Sequence, residues 1–161
     1  AKDIINRFSQ RELYEIFTKF GEERLSSRLV ALIENRRSVK PVERSGDLYA
    51  LIKLLVKGEK SRRKVASRIF QALRIAVNSE LENLKEALPR AFGILRPDGR
   101  LVVISYHSLE DRLVKNFFLN EEKKGRALIL TRRPVVPTRA EVKGNPSSHS
   151  AKLRALRKTN D

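Results

Sequence analysis

The chain has 161 residues, 40% of them hydrophobic, enough for one moderate domain or two small lobes with a core. Lys plus Arg number 35 against 19 acids, and the formal charge of +16 favours a polyanionic partner, nucleic acid before an anionic membrane surface, over a small-molecule enzyme. The absence of cysteine excludes disulfides, thiolate nucleophiles and cysteine-held zinc or iron–sulfur centres. No window reaches the run of about eighteen apolar residues that spans a bilayer, and no signal peptide is evident. No membrane partner and a cytoplasmic location are therefore expected. His107 and His149 lie far apart with no HxxxH spacing, so no metal site is expected.

The first half reads as helical. In residues 8–37, Leu13, Ile16, Phe17 and Phe20, then Leu25, Leu29, Leu32 and Ile33, recur near helical spacing. Gly21 separates or joins two short helices, and Ser38 to Pro41 breaks the pattern. Residues 46–58 form a further short helix between glycines. None of these helices hides an apolar face alone, which predicts a compact helical lobe. A longer helix is expected over 61–88, with Ala66, Ile69, Phe70, Leu73, Ala76, Val77, Leu81 and Leu84 on one stripe. Gln71, Arg74 and Asn78 lie along its edge, either as a solvated face or as amide and guanidinium groups that read a base or grip a phosphate.

Pro89 can open a new turn, and Pro97, Asp98 and Gly99 form a tight one. The run LVVIS, 101–105, suits an interior strand of a largely parallel sheet. A helix over 109–119 follows, burying Leu113, Val114, Phe117 and Phe118, and ALILT, 127–131, is a second strand candidate. This order is the end of an α/β unit with too few strands for a sheet covered on both faces. No GxGxxG or GxxxxGK[ST] occurs among the seven glycines, so these residues offer no loop to cradle a nucleotide or adenosyl cofactor.

Where strand meets helix, Ser108 and Asp111 are spaced as a helix N-cap and its third residue, and Glu110 suits the helix dipole. The same residues stand, with His107, at the carboxyl end of an apolar strand, where open sheets place ligands. Capping and a pocket both remain open for them.

Four stretches in order, FGEERLSSRLVALI (20–33), RIFQALRIAVNSEL (68–81), GRLVVISYHSLEDRLVK (99–115) and RRPVVPTRAEVKGNPSSHSAKLRA (132–155), resemble the MraW family of small-subunit ribosomal RNA methyltransferases. The resemblance covers nearly all of this chain but only the latter part of the family pattern. It implies the C-terminal portion of a Rossmann-like methyltransferase sheet (residues 61–161) plus a helical insertion for substrate recognition (1–60). The implied reaction moves a methyl group from S-adenosylmethionine to N4 of a cytidine in small-subunit rRNA. Most of the family's cofactor-binding residues precede these, so the missing N-terminal half, or a second copy, is expected to complete the pocket.

By the same resemblance, Phe70, Gln71, Arg74 and Asn78 match the family's FQALRIxVN helix, and Ser105, His107, Ser108, Glu110 and Asp111 its SFHSLED strand end. Lys152 and Arg154 match the basic pair of the tail. Tyr106 stands where phenylalanine is usual, and Ser147 where NPRxxSAKLR has arginine. Asn78, His107 and Glu110 are the candidates to draw on the hydrogens of an exocyclic amine and take its proton. Phe70, Gln71, Arg74, Ser105, Ser108, Asp111, Lys152 and Arg154 are the candidates to hold RNA. Reaching a base amine requires an unpaired or flipped nucleotide. Two other functions fit the same residues: a non-catalytic RNA-binding or assembly module, and a DNA cytosine-amine methyltransferase.

Overall fold

The structure is a computed structural model that describes residues 1–159. It forms two compact units dividing at Glu80 and Leu81.

The first unit is all helix: α1 (Lys2–Arg7), α2 (Gln10–Lys19), α3 (Ser26–Val39), α4 (Ser45–Leu55) and α5 (Glu59–Asn78). Helix α2 starts with a reciprocal cap, in which the Ser9 hydroxyl accepts from the Glu12 N–H and the Glu12 carboxylate accepts from the Ser9 N–H at 2.7 Å. The apolar faces predicted at helical spacing meet in one core, where Leu13, Phe17, Leu29, Ile33, Ile52 and Ile69 are fully buried. Gly21 sits where the end of α2 meets α5. A Cβ there would lie 2.6 Å from the Phe17 carbonyl oxygen and 3.1 Å from that of Arg68. Arg37 ties α1 to α3: it donates to the carbonyls of Ile5 and Phe8 while its fork holds Glu34.

The long helix expected over 61–88 is two helices. Ser79 takes the left-handed conformation (φ 50°, ψ 37°), ending α5, and α6 (Glu80–Gly93) begins at once. Pro89 lies inside α6 and does not open a turn. It and Lys85, whose carbonyl loses a donor to the proline, are both exposed, so water can satisfy that carbonyl.

The second unit continues with β1 (Arg100–Ser105), α7 (Ser108–Lys123), β2 (Ala127–Ile129), α8 (Arg139–Gly144), a 3-10 turn (Pro146–Ser150) and β3 (Lys152–Lys158). The fold is thus α/β, but the sheet has three strands in the order β1-β3-β2 and every pairing is antiparallel. The interior parallel strand expected at 101–105 is instead an outer strand, paired among the described residues only with β3. The central strand comes from the basic tail, where Lys and Arg alternate with Leu153, Ala155 and Leu156. Its register sets Leu101 against Leu156 and Val103 against Arg154. Leu88, Phe92, Val114, Phe118 and Leu156 form the core beneath, with Phe92 edge-on to Phe117 at 6.0 Å. On the other face, Val102 and Ile104 remain 52% and 53% exposed, and Leu128 and Val135 are exposed as well.

One buried ion pair joins α7 to β3. Arg154 donates from Nε to Asp111 Oδ1 at 2.6 Å and from its second nitrogen to Oδ2 at 3.1 Å. Asp111, expected as a cap, is thereby drawn to the sheet. Arg154, expected to hold RNA, has its guanidinium turned inward. The hydrogen bonds from Arg154 hold the Asp111 carboxyl below its ordinary range, outweighing the opposing effect of burial.

Two outcomes follow. A depressed folded-state value means the pair stabilises fully above the unfolded carboxyl's value, about 3.9, and the effect is lost as pH falls through the lower folded value. Asp111→Asn should therefore unfold in less urea at pH 7, by about 3–5 kcal/mol since it strands a buried guanidinium, with the gap from the unmodified chain narrowing below about pH 4. In the first unit, Gly21→Ala should cost about 1–3 kcal/mol in the same measurement, because the clash is with backbone and not with a movable side-chain tip.

Candidate functional site

The last residue of β1, Ser105, is buried, and its Oγ has no hydrogen-bond partner among the described residues. Two positions on, His107 is extended (φ −139°, ψ 166°) and is itself the N-cap of α7. Its Nδ1 accepts the Glu110 N–H at 3.3 Å, while Glu110 Oε2 accepts the N–H groups of Tyr106 at 2.9 Å and His107 at 3.2 Å. The capping box expected at Ser108 and Asp111 is therefore shifted back by one residue, with Asp111 engaged elsewhere and Glu110 serving in its place. Acceptance at Nδ1 assigns the hydrogen of the neutral imidazole to Nε2. That nitrogen lies 3.4 Å from Glu110 Oε1, with the His107 side chain only 8% exposed.

Ser108 begins α7 on its exposed side. Lys152, opposite Ser105 in the sheet, places Nζ 3.8 Å from Asp111 Oδ2. A hollow of about 320 Å³ opens here, walled by Tyr106, His107, Ser108, His149, Ser150 and Lys152 among others. The two histidines, distant in sequence, line the same hollow. The sequence reading missed His149 because the turn that delivers it depends on the tail entering the sheet.

In the helical unit, Phe70, Arg74 and Asn78 line one face of a largely apolar pocket of about 370 Å³, with Ile5, Val42 and Leu48 opposite. Gln71, expected beside Arg74 and Asn78, does not line it. Arg74 forks onto Glu80 at 2.8 and 3.1 Å, and the Asn78 amide donates to the same carboxylate at 3.3 Å. Glu80 thus fixes both polar groups, and Arg74 meets a carboxylate where a phosphate was expected. An apolar wall with a few fixed polar groups is the chemistry of a ligand pocket.

Gly99 and Gly125 precede strands, and among the described residues no glycine-rich loop follows one. The residues present do not fit an adenosyl cofactor by themselves.

Residues 1–159 match the model of the MraW methylase family. The chain is 47% identical over 158 residues to the ribosomal RNA small subunit methyltransferase H of Coprothermobacter proteolyticus, covering 98% of this chain and 52% of that protein. To the protein of the same name from Carboxydothermus hydrogenoformans it is 42% identical over 174 residues, covering 98% and 56%. To that of Leptospira borgpetersenii serovar Hardjo-bovis (strain JB197) it is 44% identical over 161 residues, covering 99% and 51%. The chain therefore spans about half the length of the curated relatives it matches. With a family match over nearly every residue and the strand-end and tail motifs standing at one hollow, the chain belongs to the MraW methylase family.

Proposed function

We propose that these residues are the substrate-side half of an enzyme that methylates N4 of a cytidine in small-subunit rRNA, with S-adenosylmethionine as the donor, in the cytoplasm. The family match carries this reading, and the charge of +16 supports an RNA substrate. The remaining half of the enzyme would bring the cofactor loop and lie over the bare sheet face around Val102 and Ile104, where β1 offers an edge for further strands. That addition would turn the three-stranded sheet into the larger Rossmann-like one, with the helical unit as an insertion for RNA recognition. The cofactor is assigned to that other half.

The roles of the present residues follow from their chemistry. The lone pair of a cytosine amine is delocalised into its ring, so an acceptor for the amine's hydrogens makes the nitrogen more nucleophilic. The Glu110 carboxylate, whose Oε1 lies 3.4 Å from His107 Nε2, is the group of this pair able to take the proton that the amine sheds, and His107, whose Nδ1 already accepts the Glu110 N–H, orients it. Asn78, whose amide donates to Glu80, is the candidate acceptor carried by the helical unit. Phe70 gives a ring on which a base can stack. Ser105, Ser108 and Lys152 supply hydroxyl and ammonium groups for the nucleotide, with Gln71 at the helix edge. Asp111 and Arg154 position the strand that carries Lys152.

Isothermal titration of the isolated chain with S-adenosylmethionine should show no micromolar binding; such affinity would overturn the half-enzyme reading. Mixed with the remaining half of the enzyme, the chain should support methyl incorporation into small-subunit rRNA in preference to DNA. His107→Ala and Asn78→Ala should each lower that rate by about a hundredfold or more while RNA binding persists. RNA binding with no turnover in any mixture would instead favour a non-catalytic binding module.

A further inference from the structure

The hollow beside β1 does not end at His149. A second hollow of about 360 Å³, bordered by Pro137 and Arg139, shares Val136 and His149 with the first. The two therefore form one groove with the imidazole of His149 where they adjoin. Tyr106 lies along the first hollow with its side chain 55% exposed, and His149 is exposed as well. Both rings thus present surface to whatever enters.

The ends of the groove are basic. Lys152 and Arg154 face the single carboxylate of Asp111, so that cluster keeps a net positive charge at one end. Arg139 stands exposed on α8 at the other. Of the negative groups, Glu110 turns one oxygen to two backbone N–H groups and the other to His107, and Glu141 lies in the first turn of α8 with Arg139. Aromatic side chains between flanking cations are how proteins hold unpaired nucleotides, by stacking the bases and neutralising the backbone.

We propose that this groove binds single-stranded RNA, with one base against the rings of Tyr106 and His149 and the adjoining phosphates toward Lys152 and Arg139. The inference rests on the reading of the substrate as RNA and adds where the strand runs. His149 itself occupies a position that the pattern NPRxxSAKLR leaves open.

The test is fluorescence anisotropy of the full chain with a labelled, unstructured pyrimidine RNA of about eight nucleotides, at several salt concentrations. Tyr106→Ala and His149→Ala should each weaken binding on the order of tenfold, whereas Tyr106→Phe and His149→Phe, which keep a ring, should retain it. Arg139→Gln should reduce the slope of log affinity against log salt by about 0.7. Thermal melts should coincide, since all three side chains are exposed. If the alanine variants bind as the unmodified chain does and the Arg139 variant keeps its slope, RNA lies elsewhere and the groove assignment falls alone. If the unmodified chain binds no RNA even at low salt, the substrate reading falls with it.

Discussion

The carboxylate of Asp111 is where the second unit is held in register. Helix α7 and strand β3 are distant in sequence, and the fork from Arg154 fixes them to each other in a setting shielded from water. Strand β3 in turn supplies the hydrogen bonds that keep both β1 and β2 in the sheet. Without it the LVVIS run has no partner, and the turn that bears His149 has no anchor. A buried pair of this kind gains little over a well-packed apolar contact, yet it specifies one arrangement, because any slip leaves two charges unpaired. Lys152, beside the same carboxylate, links the structural pair to the rim of the hollow.

The first half of the fold was legible because its signals are local. Leucines and phenylalanines recur at helical spacing, and Gly21 marks the junction of two short helices. The break at Ser79 was not legible, since a left-handed serine carries no compositional mark and the apolar stripe runs on through it. Strand β3 was hidden for a different reason: its Lys and Arg interrupt the apolar pattern of a strand, while the partner that buries Arg154 lies on a helix far upstream. The apolar run of β1 correctly announced a strand, but its all-apolar character implied cover on two faces, and this chain supplies one.

At the candidate site the two readings of the strand end were not exclusive. The cap exists, made by His107 and Glu110, and making it is what fixes the imidazole at the head of α7 with a defined tautomer. Spacing alone could not separate Glu110 from Asp111, because adjacent acids both fall within the first helical turn. Only the pull of Arg154 on one of them decides. In the helical unit, by contrast, Arg74 looked available from sequence and is engaged by Glu80, a carboxylate six positions on across a break that the sequence did not reveal.

The outer edge of β1 also bears on how the isolated chain behaves in solution. Such an edge is a template for pairing with an identical copy, and Val102 and Ile104 add an oily surface to the invitation. Mutual repulsion from the surplus of basic groups opposes such pairing, with a range of only about 8 Å at physiological ionic strength. Concentrated salt would thus weaken that repulsion and encourage self-association of the isolated chain.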